Sequence, residues 1–186
     1  MPIIITGSEG NIGRRLRRAF PDAIGIDIRP GAELRANLEF IDYGSRDIRR
    51  AFDAADGLIH LATSADPDAP EDVHWQAVVN SSRLIAAAAA RDIKRLVIAS
   101  SDWADPDDGL EINAYGHSKR VMEIMTAMYD HAPGRRGRSV RIGWVPRNEA
   151  ELEGAPDWLK DNHWSDRKLE RAFRRALGDD GGDAAQ

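Results

Sequence analysis

Ile3-Ile4-Ile5-Thr6-Gly7-Ser8-Glu9-Gly10-Asn11-Ile12-Gly13 begins with a short apolar run, passes through a glycine-spaced turn and enters an amphipathic pattern. A run of isoleucines suits a strand buried on both faces. Ile12, Leu16 and Phe20 then recur at helical spacing, so the turn joins a strand to a helix. Glycines at 7, 10 and 13 let the backbone turn tightly and approach a pyrophosphate, while the helix start offers unpaired N–H groups and a positive dipole end. The junction predicts a phosphate cradle at the head of a βαβ unit.

Outward from this turn, apolar strand patterns at about 2–6, 23–28, 57–62, 95–100 and 139–145, with a weaker one near 35–39, alternate with helical patterns near 11–20, 44–54, 72–91 and 115–130. That order predicts an α/β fold: a doubly wound parallel sheet of Rossmann type, three layers deep (αβα), with a short C-terminal helical extension. Ser165 caps that last helix, whose stripe Leu169, Ala172, Phe173, Ala176 and Leu177 ends at Gly178. One domain is expected over 1–178, with a minimal substrate region at 146–178. The Gly- and Asp-rich segment 179–186 is expected to be a disordered tail.

Composition narrows the partners. A net charge of −5 argues against nucleic acid, and no apolar run is long enough to span a membrane. Arg14, Arg15, Arg17 and Arg18 read as the solvated face of the first helix. The absence of cysteine excludes disulfides, thiolate catalysis and Cys-based metal sites. Met1 to Gly7 lacks a secretory pattern, so a cytoplasmic location is expected.

The second strand pattern ends in Asp27. A carboxylate there accepts from the ribose hydroxyls of NAD and repels the 2′-phosphate of NADP, so NAD is the expected cofactor; Arg29 is the neighbouring feature that favours NADP. Further along, Tyr115 and Lys119 stand four residues apart at a helix start and share one face. A free tyrosine is too weak a base at neutral pH, but an ammonium and a bound nicotinamide cation both favour the phenolate. Ser100 and Ser101 close the strand 95–100 pattern at the carboxyl edge, where a hydroxyl can hold a substrate oxygen beside the tyrosine.

Taken together, Gly7-x-x-Gly10-x-x-Gly13, Asp27, His60-Leu61-Ala62, Asn80, Ala99-Ser100-Ser101 and Tyr115-x-x-x-Lys119 resemble the extended short-chain dehydrogenase/reductases, the NAD-dependent epimerase/dehydratase family, over roughly residues 2–145. The resemblance implies that Ser101 positions substrate, Tyr115 is the general acid/base, and Lys119 holds the nicotinamide ribose and lowers the tyrosine pKa. It further implies a cofactor site built from Gly7, Ser8, Gly10, Asn11, Ile12, Gly13, Asp27, Asp42 near the adenine, Leu61, Ala62, Asn80, Tyr115, Lys119 and Ile142. Val140-Arg141-Ile142-Gly143, Trp158-Leu159 and Trp164-Ser165-Asp166 are similar to uronate dehydrogenase-like sugar dehydrogenases, which implies a sugar as the small-molecule substrate. Asp102-Trp103 departs from the Asn-His usual there and puts a uronate in question. The chain also carries less after its last strand than family members do.

His60, His74, His117, His131 and His163 show no paired ligand spacing, and the loop holding Asp102, Asp105, Asp107 and Asp108 lacks the glycine and glutamate of an EF-hand, so no metal is expected. Trp103 and Trp144 are candidates either for stacking on a ligand or for the core. The expected function is an NAD-dependent oxidoreductase acting on a sugar hydroxyl, functioning as a homodimer through the helices 72–91 and 115–130. A sugar epimerase or dehydratase is one alternative. A non-catalytic NAD-binding sensor is the other.

Overall fold

Strand β1 (Ile3–Thr6) lies at the centre of a six-stranded parallel sheet, and its position explains why it reads as unbroken isoleucine. The computed structural model describes residues 2–106 and 111–179. The other strands are β2 (Ile24–Asp27), β3 (Leu34–Arg35), β4 (Gly57–His60), β5 (Arg95–Ser101) and β6 (Arg136–Ile142). They run in the order β3-β2-β1-β4-β5-β6, so the winding reverses between β1 and β4. Ligands bind beyond the carboxyl ends of the strands at such a reversal.

Side chains alternate across the sheet with the two-residue period of a strand. Ile4, Leu58, Leu96 and Ile98 face α2 (Arg46–Ala54), α3 (Glu71–Ala90) and α4 (Ala114–Asp130), meeting Phe52, Leu84 and Met122. Ile3, Ile5, Ile59 and Val97 face the opposite way onto α1 (Asn11–Ala19) and α7 (Asp166–Leu177). The C-terminal helix is therefore part of the third layer: Leu169, Phe173 and Leu177 are fully buried. Ser165 caps it by accepting from the Lys168 N–H, and Gly178 ends it in the left-handed conformation. Asp179, expected to begin a disordered tail, is instead held by Arg174 through a 2.9 Å contact; residues 180–186 lie outside the described residues.

Three other local expectations shift. The arginines of α1 are not simply solvated: Arg15 pairs with Asp166 at 2.6 Å and donates to the Pro146 carbonyl, which ties α1 to the C-terminal segment. β6 starts three residues early because an edge strand tolerates the exposed charges of 136–138, and it stops at Ile142 because Trp144 pairs through its backbone with Asn162 and Trp164 instead. Gly143 permits this, since a Cβ there would lie 2.4 Å from the Asn162 carbonyl oxygen. The short helices α5 (Glu149–Gly154) and α6 (Asp157–Asp161) complete the return. Among the described residues no helix is long and apolar enough to cross a membrane.

Candidate active site

The turn after β1 is built as its glycines require. Gly7 has φ of +71°, and a Cβ on it would come within 2.9 Å of the Ala62 backbone nitrogen. A Cβ on Gly13 would meet the Gly7 carbonyl oxygen at 2.1 Å, so that glycine serves the packing of helix on loop. Gly10 begins α1 with no side-chain cap and no acidic residue in the first turn. The first-turn N–H groups, which a helix cannot satisfy internally, remain suited to an anion.

A cavity of about 620 Å³ opens at this turn, lined by Gly7, Gly10, Asp27, Leu61, Ala62 and Asn80, among others. Its size falls within the usual range for a cofactor site. Asp27, at the end of β2, accepts the Glu9 N–H and the Arg29 N–H at 2.9 Å each. Each oxygen keeps a second lone pair for a ribose hydroxyl. Arg29 lines the same cavity and donates to the Glu9 carbonyl. The glycine cradle, the open helix end and the placed carboxylate fit a dinucleotide.

Several expected cofactor residues also serve the fold. Ser8 is fully buried with its hydroxyl unpartnered, turned inward beneath Gly25 and away from the cavity. Asn11 donates to the Val145 carbonyl, Ile12 packs into the core with α7, and Ile142 is buried in that same core. Asp42, expected near the adenine, accepts the Gly44 N–H in the turn before α2 and does not line the cavity. Ala36, Asn37, Leu38 and Glu39 line it instead. One Asp42 oxygen serves a local turn, a common use of Asp.

At the carboxyl end of β5, Ser101 accepts the Trp103 N–H at 3.3 Å, and its hydroxyl is near enough to Tyr115 to favour the phenolate. Tyr115 lies in the first turn of α4, which Asn113 caps by accepting from the Gly116 N–H. Lys119, one turn on, is 3% exposed; it places Nζ 5.1 Å from the Tyr115 ring centroid and donates to Thr63 Oγ1 at 2.8 Å. Thr63 lines the cavity and so links Lys119 to it. The spacing argument does not reach Thr63, because the contact crosses 56 residues of sequence.

Tyr115 is raised above its ordinary pKa, first by burial and also by the charge of Asp102, with the Ser101 hydroxyl acting in the opposite sense. The Lys119 ammonium sits over the ring and points to Thr63, and its own pKa is pushed down to about 8 by burial.

Beneath the site, His60 is fully buried between Thr6 and Ser81, at 2.7 and 2.8 Å. Ser81 donates to the Ala77 carbonyl, so His60 must donate from Nε2 to Ser81 and accept from Thr6 at Nδ1. Burial, helped by the Lys119 charge, lowers His60 to about 3, and the neutral ring braces β1, β4 and α3. His74 is buried with Nε2 unpartnered and its ring edge-on to Tyr115 at 5.6 Å between centroids. Trp103 is 47% exposed beside Ser101. Trp144 packs edge-on against His163. Asp107 and Asp108 lie outside the described residues.

A model of the NAD dependent epimerase/dehydratase family matches residues 3–145. The chain is 27% identical over 209 aligned residues to an L-arabinose 1-dehydrogenase (NAD(P)(+)) of Haloferax volcanii, covering 94% of this chain and 82% of that protein. Among solved structures, a UDP-galactose 4-epimerase superimposes with a TM-score of 0.74 at 23% identity, covering 99% of this chain and 74% of that one. A mutated uronate dehydrogenase gives 0.69 at 23% identity, covering 95% and 69%. A short-chain dehydrogenase/reductase superfamily protein from Agrobacterium tumefaciens with bound NAD gives 0.64 at 24% identity over 78% of this chain, which spans 50% of that structure's length. At these identities the three structures speak for the fold alone.

Proposed function

The chain belongs to the NAD dependent epimerase/dehydratase family, and from that premise we propose that it is an NAD-dependent oxidoreductase acting on a sugar or sugar-derived hydroxyl, with Tyr115 as general acid/base. The observation that carries the reading is the meeting of Ser101, Tyr115 and a buried Lys119, its Nζ 5.1 Å from the Tyr115 ring centroid, next to a cavity floored by the glycine turn and Asp27. A pure dinucleotide binder has no need of the first three. The name of the Haloferax relative supports a sugar as substrate.

Bound NAD supplies the hydride acceptor that no side chain offers. Ser101 holds the substrate oxygen, and Tyr115 takes the proton from the hydroxyl being oxidised. The Tyr115 ring is buried, and Lys119 adds a positive charge one turn away. Residues 146–178 contribute the substrate-side segment, with α7 anchoring it to the sheet. Purified protein mixed with NAD and a panel of aldoses, uronates and polyols should form NADH, read by absorbance. A panel that yields none, with NAD bound, defeats the reading in favour of a sensor.

NAD is preferred over NADP because Asp27 repels a 2′-phosphate. Asp27→Asn keeps an acceptor for the Glu9 N–H but removes the charge, so the preference should fall by about tenfold, the effect of one close like-charge contact at the cavity wall. Calorimetry with both cofactors checks this, and equal affinities in the parent would contradict it.

A homodimer belongs to the same proposal. Trp75 and Val79 on α3, with Val121, Ile124 and Met128 on α4, leave apolar surface exposed on two adjacent helices, Ile124 and Met128 at 68% and 71%. Paired across a two-fold axis, these helices cover each other. Light scattering should report a dimer at micromolar concentration, and Ile124→Glu should return a monomer that keeps its fold. We further propose a cytoplasmic location, checked by cell fractionation.

A further inference from the structure

We propose that Asp102 and Trp103 make the substrate side of this site selective for a neutral polyhydroxy sugar and against the matching sugar acid. The inference rests on the oxidoreductase reading above. Immediately after Ser101 the chain enters a 3-10 turn, Asp102–Ala104, and Ser101 Oγ accepts the Trp103 N–H. The hydroxyl that meets Tyr115 therefore also anchors the turn. Ala104 is fully buried, and Arg120 of α4 donates to its carbonyl at 2.5 Å and to Asp105 at 2.9 Å. On the other side, Gly116 lets the turn lie directly against α4: a Cβ there would be 2.2 Å from the Trp103 carbonyl oxygen. Backbone and helix thus hold the turn rigidly against the catalytic residues.

On this fixed turn, the two side chains next to Ser101 are exposed. Both follow Ser101 directly at the carboxyl end of β5, the edge where ligands bind in such a sheet, and the Asp102 charge acts in the direction of raising the Tyr115 pKa. A carboxylate accepts two hydroxyl donors, as a vicinal diol presents them, and an indole offers a flat apolar face to the C–H side of a sugar ring. A sugar carboxylate would meet like charge instead. The neighbouring cations cannot offset this. Arg141 makes a bidentate pair with Glu123, Arg120 pairs with Asp105, and Lys119 is buried on Thr63.

The test compares matched pairs, D-galactose with D-galacturonate and D-glucose with D-glucuronate, by initial rates of NADH formation. The parent should favour the neutral member by roughly tenfold or more in kcat/KM, on the scale of one like-charge contact. Asp102→Asn, nearly isosteric and exposed, should shrink that ratio by about tenfold through KM. Trp103→Ala should raise KM for both members and leave the ratio unchanged. A parent that favours the uronate, or a ratio unmoved in Asp102→Asn, overturns the inference. If no member of any pair is oxidised, the oxidoreductase reading is what fails, and calorimetry of the same sugars on the NAD-loaded protein then decides the inference itself. Binding of the neutral member that weakens in Asp102→Asn supports it; equal binding of both members, or binding of neither, overturns it.

Discussion

Tyr115→Phe is expected to lower turnover by about 10²–10⁴-fold, the usual contribution of a positioned acid/base, while NAD affinity stays nearly unchanged. The change removes one hydroxyl. The ring, buried against His74 and under the Lys119 ammonium, keeps its packing. What is lost is the atom that takes the substrate proton. Stability should not suffer much, since Ser101 still accepts the Trp103 N–H. Rates with the best substrate of the panel, together with calorimetry for NAD, separate the two effects. A variant as fast as the parent would remove Tyr115 from the chemistry and the oxidoreductase assignment with it.

The same prediction carries a pH dependence. Burial and the Asp102 charge hold the Tyr115 phenol above its ordinary pKa in the unliganded protein, so phenolate formation needs a cation brought to it. The kcat/KM of an oxidation should therefore still be rising with pH above neutrality. Asp102→Asn should move that rise to lower pH. An unshifted profile would mean that the Asp102 charge does not reach the reacting phenol.

Residue patterning made the scaffold legible because each layer imposes its own period. Ile3-Ile4-Ile5 splits between two cores by alternation, and the stripe from Leu169 to Leu177 places α7 on the sheet before any contact is known. Tyr115 and Lys119 were legible for the same reason, as helical neighbours. The cavity wall was harder to read. Residues 34–45 carry little regular structure, so nothing in their order told Asp42, which accepts the Gly44 N–H in a turn, from the lining residues Asn37 and Leu38. Within the glycine turn, spacing located the cradle but not the direction of each side chain: Ser8 and Asn11 point into the protein. One signal was present and unused. A glycine directly after the tyrosine marks a close approach, and Trp103 makes it.

Lys119→Met should stabilise the cofactor-free protein while weakening NAD binding and turnover. Lys119 is 3% exposed, and its hydrogen-bond partner among the described residues is the neutral Thr63, so its charge is buried without a counter-ion. Burial takes its pKa from 10.5 to about 8, which corresponds to about 3 kcal/mol against the charged form at neutral pH. Methionine has similar length and no charge to desolvate, and replacing a buried charge with an apolar side chain of like volume often stabilises. A gain of this order raises Tm by roughly 5–10 °C in a chain of this size. The sign with pH follows from the same shift. Between pH 8 and 10.5 the unfolded chain still holds the proton that the folded protein has lost, so the parent gains stability as pH rises through that window. Tyr115, raised by burial from 10.0, acts in the opposite sense only near and above pH 10, which leaves pH 8–10 as the interval to measure. Thermal melts across it should slope upward for the parent and lie flatter for Lys119→Met. Adding NAD should narrow the gap at pH 7, because a ligand at a hundred times its Kd stabilises the parent by about 2.7 kcal/mol and the variant has lost the ammonium that faces the cavity through Thr63. A variant that melts below the parent without NAD would show that the buried ammonium stabilises the fold instead of being held against its desolvation for the sake of the cofactor.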